Sequence, residues 1–409
     1  MFSKEQLEKI RWMVFAATAL SFSFSERLNA LGILGILFLF VLQIRSVDIQ
    51  KSWKDFFISG SLLFFIIQLA GVHWPPSPEA FQSVEVKLSF LILPLLFSTL
   101  GRFLTKDIQR ILFLFSIALC ISFLYSFTAG CIKYHEQGMT KMMNRMSISE
   151  AIMHPGYYSN FFCLALVWNV NTAFNMFRAE RKLQWVHIGL ALFFLMVLFL
   201  LLSKTALLFL VLFMVVLFRN VVALFLSGWK QWLFLSGIVL LTAALMMQIP
   251  GIRYRIQETK GNTKEVNKET TKMNSTGSRI IAWDISWKLI KRQPLLGYGS
   301  GQANRVLLQE MEAEGYHNLV RDRMQTHNQW LHTWLETGIA GVLVLLLLLV
   351  FLFIRFIRWQ EDTGIWMVPL WILNMLTDDA LEIQAVLVFI LFFTCLFYYR
   401  QRKHQPVNL

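Results

Sequence analysis

Residues 185–218 read WVHIGLALFFLMVLFLLLSKTALLFLVLFMVVLF, 34 positions with a single polar break at Ser203-Lys204-Thr205. As one helix the stretch would reach ~50 Å at ~1.5 Å per residue, well beyond a ~30 Å hydrocarbon core. It must therefore reverse at the break, which gives two antiparallel spans and puts Lys204 at a membrane face. The fold class follows: an all-α polytopic membrane protein. Further apolar runs fall at 10–24, 28–44, 56–73, 86–100, 109–131, 157–177, 231–249, 338–354, 365–376 and 383–399, making about twelve transmembrane helices with the reversed pair. The runs 86–100 and 365–376 are short and carry Pro94 and Pro369, so each is expected to be bent or incomplete.

Composition agrees with this reading. The chain is 56% hydrophobic and 15% aromatic, with mean hydropathy +0.54, whereas soluble domains sit nearer ~45–50% apolar with more charge. The first apolar run follows Lys4, Lys9 and Arg11, lacks a small-x-small cleavage site and leads at once into another run, so it is expected to act as a signal anchor. Cys120, Cys131, Cys163 and Cys395 lie in or beside apolar runs without CxxC or Cys/His spacing and read as core fillers. The net charge of +13 is spread over short loops, which indicates topology rather than nucleic acid. With the N-terminus in the cytoplasm, nineteen Lys/Arg fall on inside segments and six on the short outside ones. That bias puts both termini in the cytoplasm and the long loop outside.

The chain accordingly divides into residues 1–250 with nine spans, a large outside loop at 251–337, and residues 338–409 with three spans and a cytoplasmic tail. From 251 to 335 the loop holds thirteen Lys/Arg against eight Asp/Glu, hence about +5. Residues 257–277 are polar, without aromatics, and read as a mobile flap. After Gly277, the residues Ile280, Ile281, Trp283, Trp287, Leu289 and Ile290 suit an amphipathic helix of three turns on the outer leaflet, ended by Gln293-Pro294. Gly297, Gly299 and Gly301 form a tight loop, and Ala303–Glu314 reads as a second helix.

The candidate site residues lie on the outside segments. Arg279 shares a helix with Trp283, four residues on, so the ring can anchor at lipid headgroups while the guanidinium faces a phosphate on a lipid carrier; contact with anionic membrane lipid would need the same residues. Lys204 is a cation at an apolar boundary, a functional candidate or a snorkelling lysine. In Thr326-His327-Asn328-Gln329-Trp330-Leu331, the imidazole of His327 is able to take a proton from a sugar hydroxyl or simply to pack among aromatics. Asn328 orients a ligand or caps a helix. Asp378, Asp379 and Glu382 fall between the last two spans, where one could hold the imidazole or neutralise Lys204, or all three form a solvated turn. His154-Pro155 reads as a cap with a helix start. His317 and His332 are taken as structural. Gly297-Tyr298-Gly299-Ser300-Gly301 is no dinucleotide fingerprint, since no βαβ unit surrounds it, and HExxH and nucleophile-elbow patterns are absent from the sequence.

Taken together, Arg279/Trp283, Pro294/Gly297/Gly299 and His327/Asn328/Leu331 form an R-x3-W…P-x-x-G-x-G…H-N-x-x-L series that resembles the O-antigen ligase and polymerase superfamily of bacterial glycosyltransferases. The resemblance covers the whole chain in topology and 203–205 and 278–341 in motifs. Family members often carry Ser-Arg at the outer turn where this chain has Ser203-Lys204; lysine keeps the charge and loses the two-pronged geometry. The resemblance implies an inner-membrane enzyme with a periplasmic loop. Its donor is a glycan on undecaprenyl pyrophosphate, and its acceptor is lipid A–core, for a ligase, or the growing chain, for a polymerase. No metal, cofactor or nucleotide is expected, and transfer should be inverting. Arg279 and Lys204 would bind pyrophosphate, and His327 would be base or orienter for the acceptor hydroxyl. From another class, a lipid-linked glycan transporter would show repeat symmetry and polar residues at mid-membrane; this chain keeps its charges at the outside face.

Overall fold

The computed structural model describes residues 4–43, 54–73, 76–100, 103–136, 149, 151–222, 228–230, 236–237, 248 and 275–401. In chain order the helices are α1 (Lys4–Ser21), α2 (Glu26–Gln43), α3 (Phe56–Ala70), α4 (Pro78–Lys87), α5 (Ser89–Thr99), α6 (Thr105–Glu136), α7 (Pro155–Glu180), α8 (Trp185–Leu201), α9 (Lys204–Val222), α10 (Ser275–Arg292), α11 (Ala303–Ala313), α12 (His317–Arg321), α13 (Gln329–Arg358), α14 (Gly364–Thr377) and α15 (Gln384–Tyr398). Among the described residues there is no strand, only an isolated bridge between Phe103 and Arg400.

The reversal expected in 185–218 is present. Leu202 takes the left-handed conformation (φ 47°) and ends α8, its N–H donating to Leu198 O, and α9 starts two residues later at Lys204. Among the described residues four stretches are long and apolar enough to cross a membrane, namely Pro78–Thr99, Thr105–Lys133, Lys204–Val222 and Gln329–Arg358, and five shorter apolar helices accompany them. Leu31, Phe38, Leu192 and Leu347 are among many large apolar side chains left exposed. Patches of that extent are foreign to a soluble surface and suit contact with lipid. Pro94 and Pro369 lie inside the short helices α5 and α14. The 231–249 run is described only at 236–237 and 248, and residues 251–274 lie outside the described residues altogether.

Helix α15 forms the centre of the bundle. Every residue from Ala385 to Tyr398 is buried, so no stripe of it faces solvent or lipid. Around it the core is held by aromatic side chains: Phe389 meets Phe161 with ring centroids 4.2 Å apart, Phe392 meets Phe97 edge-on at 5.4 Å, and Phe393 meets Phe115 at 5.0 Å. Phe15 of α1 and Phe22 just after it close the same layer. Cys163 and Cys395 are core fillers as expected, whereas Cys131 is exposed.

A second, smaller core is built by α10 to α12 and the start of α13. It comprises Ile281, Ala282, Ile285, Leu289, Leu307, Met311, Leu319 and Leu335. The amphipathic helix expected on the outer leaflet thus turns its apolar face onto its own subdomain, because α11 and α13 offer it a complementary apolar surface. It is also longer than expected, 18 residues rather than three turns. Trp287 stays exposed and meets Trp334 edge-on at 5.8 Å.

The loop after Pro294 joins this small core to the bundle. Tyr298 N–H donates to Leu335 O at 2.6 Å, Gly299 N–H to Glu336 O at 2.9 Å and Ser300 N–H to Gly71 O at 2.9 Å. Pro294 O in turn accepts from Ile339 N and from Trp334 Nε1. The carbonyls and N–H groups released where α13 kinks at Gly338 (φ 64°, ψ −163°) are therefore re-bonded by the loop. A Cβ on Gly338 would lie 2.0 Å from Leu295 O, so both the angle and the space require glycine.

Candidate active site

The turn 378–382 and the segment 326–328 meet at one end of the bundle. Asp378 leaves the helix in extended conformation (φ −158°), which ends α14 and turns two consecutive carboxylates toward the start of α13. Asp379 is buried and accepts from the Thr326 hydroxyl, from His327 N at 3.0 Å and from Asn328 N at 3.0 Å. His327 has a left-handed backbone (φ 45°), uncommon for a side chain of its size, and Asp379 satisfies its amide in that conformation. Asn328 then caps α13, its Oδ1 accepting from Trp330 N and Leu331 N. The cap expected of Asn328 is thus present.

The imidazole of His327 lies 3.0 Å from Asp378 through Nδ1 and is 27% exposed. Burial alone would push the Asp378 carboxyl up, but the hydrogen bond and charge of His327, the Tyr157 hydroxyl and the Arg279 guanidinium outweigh it and hold Asp378 below its ordinary range. An ionised carboxylate only accepts, so Nδ1 carries the proton and Nε2 is left as the acceptor. Tyr157 O–H donates to the other Asp378 oxygen at 2.9 Å. Asp379, by contrast, is pushed up by burial, with the His332 charge and the Thr326 hydroxyl opposing.

The other expected residues gather at the same end. Thr205 and Thr377 share a hydrogen bond of 2.6 Å, which places the Lys204 turn directly beside Asp378. Lys204 itself is exposed. Arg279 is partly exposed, close enough to act on Asp378 and Tyr157, and makes no ion pair with a described residue. Trp283 Nε1 donates to Thr326 O at 2.9 Å, so the ring braces the His327 segment. His154 caps α7 by accepting from Gly156 N, and its ring packs against Tyr157 at 5.4 Å. It therefore supports the tyrosine that holds Asp378. Glu382 points away from His327, toward Lys87 and Gln329.

Three functional-end residues escaped the sequence reading. Tyr157 was visible only as part of a helix start. Lys87 counted only toward orientation, yet it is wholly buried against Glu336 and Glu382. His332, taken as structural, lies 3.5 Å from both of those glutamates. A signal did exist: Gln329, His332, Thr333 and Glu336 recur at i, i+3, i+4 and i+7, a polar stripe on an otherwise apolar helix. His332, Glu336 and Glu382 bring ligand atoms within 4.8 Å of one another, a spacing a metal ion could use. The Lys87 ammonium already bonds both glutamates there, so an ion would have to displace it.

The helices define a multi-pass membrane protein whose polar side chains converge at one end of an apolar bundle. Residues 189–346 match the family model described as O-antigen ligase, which supports the resemblance to the O-antigen ligase and polymerase superfamily. The matched range contains Lys204, Arg279, Trp283, His327 and Asn328 and ends before the 378–382 turn. A Haemophilus influenzae protein described as uncharacterized is 23% identical over 118 residues, 29% of this chain and 30% of that protein. The match thus spans less than a third of that relative's length.

Proposed function

We propose that this protein is an O-antigen ligase-like glycosyltransferase that moves a glycan from undecaprenyl pyrophosphate to a sugar hydroxyl of lipid A–core. The reading takes about twelve spans, cytoplasmic termini and a periplasmic loop at 251–337, as the charge bias suggests. The observation that carries it is the His327–Asp378 pair, set beside two exposed or partly exposed cations, Lys204 and Arg279. His327 Nε2 takes the proton from the acceptor hydroxyl as its oxygen bonds the anomeric carbon. The bond from that carbon to the phosphate oxygen breaks, and undecaprenyl pyrophosphate leaves with the electron pair, its charge met by Arg279 and Lys204. Attack opposite the leaving group inverts the centre. Asp378 fixes the imidazole tautomer and stabilises the imidazolium that forms.

Deleting the gene in its own host and resolving the lipopolysaccharide and the lipid-linked glycan pool tests the proposal. Long glycan accumulating on undecaprenyl pyrophosphate beside bare lipid A–core is the expected result. Lipid A–core bearing a single repeat unit would instead identify a polymerase, the alternative that shares these motifs. An unchanged glycan pattern would overturn both and favour a transporter of lipid-linked glycan.

A further inference from the structure

Beneath His327 lies a charged cluster that the proposed chemistry leaves unused. Lys87 closes α4 with its side chain fully buried. Its ammonium donates to Ser83 Oγ at 2.9 Å, to Glu336 Oε2 at 3.4 Å and to Glu382. Glu336 also accepts from Gly301 N at 2.6 Å, which ties the glycine loop to the same cluster. Two carboxylates face one ammonium, so the cluster is neutral when His332 carries a proton. Stability alone does not call for it, because well-packed apolar side chains commonly replace a buried ion cluster at no loss.

The connection to the site runs through one turn. Glu382 ends it, its backbone N–H donating to Asp379 O at 3.1 Å. Gln329 clamps the same end, with Nε2 donating to Glu382 Oε1 at 3.0 Å and Oε1 accepting from Leu381 N at 2.8 Å. The far end of the turn is thus held by Lys87 and Gln329, while its near end presents Asp378 and Asp379 to His327.

We propose that Lys87 is a positioning residue for His327: fixed on α4, it holds Glu382 and, through the 378–382 turn, sets Asp378 and Asp379 against the imidazole and its backbone. The turnover part of this inference rests on the functional reading above; the positional part does not.

The test uses the full chain in nanodiscs, as wild type, Lys87→Met, and Lys87→Met combined with Glu336→Gln. The double variant restores charge balance but leaves Glu382 without its ammonium. It is expected to recover the thermal midpoint lost in Lys87→Met, to turn over donor about 100-fold more slowly than wild type with little change in KM, as a misplaced base would, and to exchange the amides of 326–328 faster. Recovery of turnover together with the midpoint would reduce Lys87 to charge balance and overturn the proposal, as would unchanged exchange at 326–328 in the folded double variant. Should the methionine variants fail to accumulate, Glu382→Gln weakens the tether while His332 is able to stay neutral, and the same two readouts apply. A wild-type protein that transfers no glycan would sink the functional reading, and amide exchange would then decide the tether by itself.

Discussion

At His327 one residue is held in two ways by two neighbours: Asp378 takes the ring and Asp379 the backbone. The two duties separate experimentally. Asp378→Asn keeps a polar partner but loses the ionised acceptor, so transfer should fall by about 100-fold or more while the thermal midpoint moves little; comparing transfer rate with midpoint in the same preparation checks this. Asp379→Ala strands two amides and the Thr326 hydroxyl, at about 1–3 kcal/mol per buried unsatisfied group, so here the midpoint and activity should drop together. The Asp378 carboxyl is held below its ordinary value, and its stabilisation is therefore complete above that value and lost as pH falls through the lowered one. Midpoints measured from pH 7 downward should show a decline below about pH 4 that is weaker in Asp378→Asn. Sequence reasoning reached His327, Arg279, Lys204 and both aspartates because each is a polar residue beside an apolar run. It did not separate the duties of Asp378 and Asp379, since adjacent identical residues differ only in what the fold puts opposite them.

Among the elements, α13 shows how a helix is bent on purpose. Gly338 breaks the helical path, and Pro294 O and the 297–299 amides re-bond the freed groups. Gly338→Ala should cost about 3 kcal/mol or more, seen as loss of folded protein on size exclusion in detergent. Gly189, helical and with open space around it, is the contrast: Gly189→Ala should hold the midpoint or raise it, by up to about 1 kcal/mol of helix propensity. The reversal at 201–204 and the end of α10 before Pro294 were both legible, because chain length and proline act locally. The burial of α10 was not. Periodicity reveals that a helix has an apolar face, but Leu307, Met311 and Leu335 decide what covers it.

In the whole molecule, ties between distant parts of the chain set the site. Lys87 and Glu336 are 249 positions apart, and Ser300 donates to Gln68 O across 232. No local pattern records such pairs, which is why the cluster went unread while the membrane class was plain from composition. The buried centre should dominate stability: Phe389→Ala is expected to cost about 3–5 kcal/mol, whereas Leu347→Ala on the exposed apolar face should cost under about 1 kcal/mol, lipid taking the place of protein contacts. Thermal midpoints of both variants in matched nanodiscs check the ranking. The position of α15 also bears on biogenesis. It is the last of the described helices to leave the ribosome, yet it fills the middle of the bundle. The helices made before it must enter the bilayer around an empty seat, and Asp378, Asp379 and Glu382, carried on the turn just ahead of α15, reach their partners only when that seat is taken. A nascent chain therefore stays without its completed site until α15 has been made.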